Sequence, residues 1–443
     1  MNRMLSGLGV RYAGVALLAL LMLIPLAFVQ GVADERQNYY RSVVQEVSDS
    51  WGDSLTLSGP FLVVPESFTY IAHNKAGEEV QRTGLRQRVY LPEALNIDGS
   101  LDHQYRYRAI YQVPVYQSQS RITGKFIIPS PSESSVQLKL QDARVVLGLS
   151  NTRSIEAMSP LTIADRQIEF HSGNGGSGLP GGVHAPVATL PTDKAIAFSL
   201  DLAVKGTQHY AFAPLGASTQ VRLASTWPHP SFSGAYLPAR FEIGDSGFAA
   251  SWKIHKLARQ LPASWILGSE PPKLDSSIAS VGLFEPVTSY SIIDRGLKYA
   301  VLFIGLTFLA FVCFELLVPL RFHYMQFAVI GAALVLFYQT VLSLSEHIAF
   351  VVAYLGATCL LTGLIAWYVY MMTRQKALTV WAGSILVVLY SCLYILLQLQ
   401  AYALLVGTAV LILGLSALMY ATRGLVQYEP AQSNQAESFA TLE

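Results

Sequence analysis

Cysteine is scarce. The chain holds three, Cys313, Cys359 and Cys392, and none lies between residues 31 and 294. All three fall in apolar runs, so a disulfide scaffold is excluded from that long middle segment, whose stability must come from ordinary burial. Charge is scarce as well. Asp, Glu, Lys and Arg make up 13% of the residues against 52% hydrophobic ones, about half the ~25% charged share of a soluble globular domain. That imbalance points to a membrane. Metal-ligand spacing is also missing, since the nine histidines are scattered, with neither an i, i+4 pair nor a neighbouring cysteine pair. There is no internal repeat and no low-complexity linker.

What is present is a set of long apolar runs. Tyr12 to Val29 is uncharged over eighteen residues, about the minimum for a helix that crosses the hydrocarbon core. Arg3 and Arg11 precede it and Asp34 and Glu35 follow. The run is longer than the apolar core of a signal peptide and no Ala-x-Ala site follows it, so it reads as a retained anchor. Five more runs are Tyr299 to Leu320, Gln326 to Leu344, Ile348 to Met372, Ala377 to Leu397 and Ala401 to Tyr420. Arg321 and His323 lie in the first connection between these five, Arg374 and Lys376 in the third, and Arg423 after the last; the connections Ser345 to His347 and Gln398 to Gln400 carry no Lys or Arg. The positive-inside rule puts the basic connections and both termini in the cytoplasm and the long middle segment outside. The expected organisation is therefore an anchor over 1–30, an extracytoplasmic β-rich domain over 31–294, a five-helix membrane domain over 295–423 and a cytoplasmic tail over 424–443.

The middle segment alternates rather than repeating every three or four residues. Phe61 to Pro65, Arg86 to Pro92, Tyr105 to Tyr116, Gly124 to Pro129, Ala143 to Leu149, Ala195 to Gly206 and Thr219 to Thr226 are short runs rich in Val, Ile, Tyr and Phe, bounded by turn residues. Such runs read as strands of a mostly antiparallel domain. Glu35 to Gly52 has a helical pattern and extends the first membrane helix as a polar stem. The glycine-rich stretch His171 to Pro186 has no helix after it, which a phosphate cradle requires, and reads as a loop.

Few residues suggest chemistry. Gly-Asp-Ser-Gly at Gly244 to Gly247, with Ile71 to Asn74 loosely echoing a protease histidine segment, raises a Ser246 nucleophile, but no aspartate segment separates the two. A turn is the better reading, because triads are recognised by geometry rather than by four matching letters. No catalytic, cofactor-binding or metal-binding residue is assigned. Trp227, Pro228, His229, Pro230 and Phe232 form a candidate corner. Its prolines hold the backbone extended on both sides of His229, for scaffolding or for binding. Glu315 is the one ionisable residue inside an apolar run, either interfacial or a packing or relay group. Glu346 and His347 pair a carboxylate with an imidazole in an outer loop, which reads first as a solvated loop and second as a pH-responsive pair.

Three segments, Thr226 to Trp252, Asp294 to Glu315 and Leu344 to Phe350, resemble the CreD family of bacterial inner-membrane proteins, in the same order and at matching topological positions. The resemblance implies a multi-pass protein of the Gram-negative inner membrane associated with envelope integrity and envelope stress, and it supplies no catalytic residues. The fold class expected is thus α+β, with a single N-terminal transmembrane helix, a large periplasmic β-rich domain and a C-terminal bundle of five transmembrane helices. The function expected is a non-enzymatic one that supports the envelope, the β domain binding an envelope protein or cell-wall component. The alternatives are a transporter or channel subunit, against which stands the shortage of polar residues in the helices, and a periplasmic hydrolase. The lipid bilayer is a partner, nucleic acid is not, and no cofactor is expected.

Overall fold

The computed structural model describes residues 2–423 apart from 74, 76–77, 132, 179–180, 189, 260, 270–273, 284–288, 318–321 and 400–401. The readings that involve Arg321, Asn74, Leu179, Pro180, Gln400, Ala401 and the tail 424–443 lie outside the described residues. Two compact units are present, one made of Met1–Asn38 with Val287–Glu443 and one of Tyr39–Pro286.

The first unit is helical. Among the described residues six helices are long and apolar enough to cross a membrane: Val10–Trp51, whose residues from Tyr39 on belong to the second unit, Tyr290–Leu316, Tyr324–Ser345, Phe350–Thr373, Lys376–Gln398 and Ala403–Thr422. The first has an irregularity between Asn2–Leu21 and Leu23–Trp51. Pro25 explains it, because proline has no N–H to give the carbonyl four residues back and its ring crowds that carbonyl. The helical pattern of the polar stretch after Asp34 is realised as the second half of Leu23–Trp51. The helix expected from Tyr299 begins at Ser289 instead. Its first turns carry Asp294, Arg295 and Lys298, with Lys298 bonded to Asp294 at 2.7 Å, and an apolar run cannot mark such turns. Tyr324–Ser345 opens with a capping box in which the His323 ring accepts from Met325 N–H and the Gln326 side chain accepts from His323 N–H. Phe308, Phe327, Phe337, Tyr354 and Leu393 belong to the shared core, whereas Ala403–Thr422 has no fully buried residue.

The second unit is a two-sheet β sandwich. A ten-stranded sheet is organised on Leu55–His73, which pairs with Glu79–Tyr90, Arg144–Leu149, Val136–Leu138 and His209–Ala213. A nine-stranded sheet has Ala94–Arg108, Tyr111–Ile127 and Ala195–Thr207 at its centre, with Ser218–Ser225, Gly247–His255 and Arg240–Gly244 continuing it to one edge. Pairing is antiparallel except between Leu55–Ser58 and Tyr210–Ala213 and between Ala94–Leu101 and Ser218–Ser225. Along Ser218–Ser225 buried and exposed residues alternate over most of the strand, which puts Thr219, Val221 and Leu223 inside.

The facing surfaces share one core, with Leu57, Val145 and Phe212 from one sheet and Ile97, Phe126 and Trp252 from the other. Two tyrosines pin the sheets through that core. Tyr116 donates to the His209 carbonyl at 2.8 Å, and the Tyr210 hydroxyl bonds Ser120 at 3.1 Å. Both hydroxyls are buried and satisfied, as an apolar core requires, and burial pushes both tyrosines above their ordinary pKa. The ten-stranded sheet carries a second apolar cluster of Phe61, Val63, Val89 and Val146, covered by Leu261, Trp265 and Leu267. The outward side of the nine-stranded sheet is instead polar, with ion pairs Arg222–Asp98 at 3.4 Å and Arg121–Asp201 at 3.8 Å.

Candidate functional site

The corner begins where Ser218–Ser225 ends. The Ser225 hydroxyl donates to the Leu101 carbonyl at 2.6 Å and accepts the Trp227 N–H at 3.1 Å, so the chain turns at a fixed point. Pro228 then excludes helix at Trp227, and the indole folds inward to 1% exposure. Its N–H donates to the main-chain carbonyl of His229 at 2.8 Å, which satisfies the one polar atom of a buried tryptophan. His103 stands edge-on to the indole at 5.4 Å between ring centroids and bonds Thr226 Oγ1 through Nδ1 at 2.6 Å.

Phe232 is half-buried and meets Phe248 and Trp252 edge-on at 5.7 and 5.8 Å. His229 is exposed and Pro228 and Pro230 are intermediate. The structure therefore joins Trp227 and Phe232 to the core and leaves the His229 ring outside. The corner uses the carbonyl of His229, while its exposed ring lies edge-on to the indole at 6.5 Å between centroids.

Ser246 lies with Asp245 in the two-residue turn of the hairpin Arg240–Gly244/Gly247–His255. Gly247 has φ 128 there, and a Cβ would run into the Ser225 carbonyl, so glycine is the residue this turn requires. His73 ends a strand of the other sheet. Among the described residues no three His, Cys, Asp or Glu side chains gather as a metal-holding group.

Within the helical unit, Glu315 is paired with Arg11. Its side chain is 4% exposed and that of Arg11 19%. The guanidinium also donates to the Phe322 carbonyl at 2.7 Å. Arg11, legible in the sequence only as a flanking positive charge, is thus the partner that a buried carboxylate needs. At the other end of the same helices Glu346 lies 3.7 Å from Arg36 and accepts from the Tyr290 hydroxyl at 3.3 Å. His347 is exposed. Glu346 faces other helices and its neighbour does not.

A second buried carboxylate, Glu66, gave no sequence signal because it sits in an alternating strand among other polar residues. It is 1% exposed. Arg86 donates to it through Nε, and Arg88 through Nε and Nη2 at 3.0 Å each. Arg86 is its register partner on the neighbouring strand, and Arg88, two residues on, projects from the same face. The three side chains wall a cavity of about 240 Å³.

Residues 7–428 match the family described as Inner membrane protein CreD. The chain is 31% identical over 416 residues to the inner membrane protein CreD of Escherichia coli (strain K12), across 92% of this chain and 91% of that protein. Among solved structures, an M1 zinc metallopeptidase from Deinococcus radiodurans is similar over 43% of this chain and 42% of its own length, at 9% identity and a TM-score of 0.25. So low a score carries no argument. Sequence similarity over nearly the whole length, with an N-terminal apolar helix, a large β-rich domain and five further apolar helices, has one conclusion: the chain belongs to the CreD family of inner membrane proteins.

Proposed function

We propose that this protein is a non-enzymatic support of the cell envelope, with both termini cytoplasmic and its β-rich domain periplasmic, where that domain binds or scaffolds an envelope protein or cell-wall component. The parity of the helix ends supports the orientation. Arg11 lies at the start of the first span, Arg374 joins the fourth to the fifth, which opens on Lys376, and Arg423 follows the sixth, while Glu346 and His347 join the third to the fourth without Lys or Arg. The basic residues of the short connections then fall on one side of the bilayer, as in cytoplasmic loops.

The observation that carries the binding role is the outward side of the nine-stranded sheet, which forms an open groove of about 800 Å³ along Asp98, Gly99, Gln119, Arg121, Ser159 and Asp201. Its charged residues Asp98, Arg121 and Asp201 are exposed. A groove that sets Asp98, Arg121 and Asp201 beside Ala157 and Met158 on a rigid sheet suits a partner that docks by apolar contact together with hydrogen bonds and charge. Photocrosslinking from Gln119 in intact cells tests this reading. Specific capture of an envelope protein or cell-wall fragment, lost when Arg121 and Asp201 are both changed to alanine, is expected. Capture unaffected by that change, or none beyond lipid, contradicts it.

A further inference from the structure

Glu66 holds two guanidiniums although one neutralises it. Burying a carboxylate is costly unless it is paired and hydrogen-bonded, and the three bonds from Arg86 and Arg88 meet that need. The group of Glu66 with Arg86 and Arg88 then carries one positive charge more than the carboxylate balances. Each guanidinium carries five N–H donors in a rigid fork. Arg88 spends Nε and Nη2 on Glu66, and Arg86 spends Nε; the remaining Nη groups of both have no partner among the described residues. Arg86 is further fixed with its guanidinium carbon 4.6 Å from the centre of the Phe68 ring. The donors are held in place before any ligand arrives, which is what a preorganised anion site needs.

The rest of the wall limits what fits. Ser130 lies between Pro129 and Pro131 and is pinned by Asp193, which accepts its N–H at 3.0 Å and its hydroxyl. Exposed Glu133 lines the same cavity and acts electrostatically on Arg88, so a negative group stands beside the positive ones. The volume of about 240 Å³ is below the ~300–1,000 Å³ of pockets for drug-sized ligands.

We propose that this cavity binds a small zwitterion, an amino acid or the end of a short peptide, with its carboxylate on Arg86 and Arg88 and its ammonium toward Glu133. The proposal rests on the β-rich domain being a binding domain and gives it a second site, on the other sheet from the groove. Arginine forks grip carboxylates by two parallel hydrogen bonds, and an acidic group on the wall of the same cavity selects against simple anions.

Calorimetric titration of the detergent-purified full chain tests it with three probes, dialanine, N-acetylalanine and inorganic phosphate. Dialanine should bind best. Arg88→Lys keeps a cation against Glu66 but loses the fork, and should weaken dialanine and N-acetylalanine by about tenfold or more. Glu133→Gln, on the exposed rim, should weaken dialanine and leave N-acetylalanine within about twofold. Circular dichroism checks the fold of each variant; should Arg88→Lys unfold, the Glu133→Gln comparison decides by itself. No binding of dialanine to the wild type, equal binding by folded variants, or tighter binding of phosphate overturns the proposal. Crosslinking from Gln119 reads the groove independently, so this cavity can fail while the groove stands.

Discussion

Arg11 and Glu315, 304 positions apart in the sequence, form an ion pair between the N-terminal helix and the helix Ser289–Leu317. Arg36 and Glu346 form another. Arg11 and Arg36 are 25 residues apart, as are Tyr290, which bonds Glu346, and Glu315. At ~1.5 Å rise per residue that is about 37 Å of helix, somewhat more than the ~30 Å hydrocarbon core. The two ion pairs thus tie the anchor to its neighbours near both faces of a bilayer, where charged groups are least costly.

Loss of either member of the Arg11–Glu315 pair should destabilise the helical unit by about 3–5 kcal/mol, because the charge left behind stays buried. Arg11→Met with Glu315→Leu should cost less than either single change. Thermal unfolding in detergent measures this, and strictly additive single effects would show that the two residues do not interact.

At the corner, Trp227→Ala should cost about 3–5 kcal/mol, as truncation of a buried tryptophan does. His229→Ala should shift stability by about 0.5 kcal/mol or less, since the ring is exposed and the carbonyl that accepts the indole N–H remains. Thermal unfolding of the full chain separates the two. Equal losses would mean that the imidazole is a structural group.

In the hairpin turn, Ser246→Ala should leave stability and envelope-stress complementation unchanged. Gly247→Ala should destabilise by about 1 kcal/mol or more, because φ 128 and the Ser225 carbonyl both oppose a side chain. A Ser246→Ala protein of normal abundance that fails to complement would revive a nucleophile.

The pH dependence of stability should report Glu66. Burial raises its pKa, but the hydrogen bonds and charges of Arg88 and Arg86 together outweigh burial and hold it below the ordinary carboxylate value. A folded pKa below the unfolded one, about 4.3 for glutamate, stabilises the fold at neutral pH. That stabilisation drains as pH falls from the unfolded value through the folded one. The melting temperature of the wild type should fall more steeply below about pH 4.3 than that of Glu66→Gln, and parallel curves would contradict the assignment.

Much of the fold was legible in the sequence because its two periodicities are strong. The six apolar runs and the alternating strands each announce themselves. The run Tyr105 to Tyr116 misleads for the same reason, as the structure divides it into Ala94–Arg108 and Tyr111–Ile127. Their turn is Ala109-Ile110, where Ala109 takes φ 50 without the glycine or asparagine that marks such turns. The glycine-rich stretch is a small hairpin of His171–Ser172 and Val183–Pro186 with left-handed glycines at its tip. The corner residues were visible through their prolines, but not that Trp227 would bond the carbonyl two residues on. Arg11, Arg36, Arg86 and Arg88 were invisible as partners because pairing across tens or hundreds of residues leaves no local pattern.

The orientation of the β-rich domain is the claim on which the rest stands, and the scarcity of cysteine makes it measurable. With Cys313, Cys359 and Cys392 changed to alanine, a single cysteine at Ser246, exposed in its hairpin turn, and another, in a separate chain, at exposed Lys376 report the two sides. In spheroplasts a membrane-impermeant maleimide should label Ser246→Cys at once and Lys376→Cys only after lysis. Labelling of Lys376→Cys in intact spheroplasts, with Ser246→Cys protected until lysis, would put the β-rich domain in the cytoplasm and contradict the account.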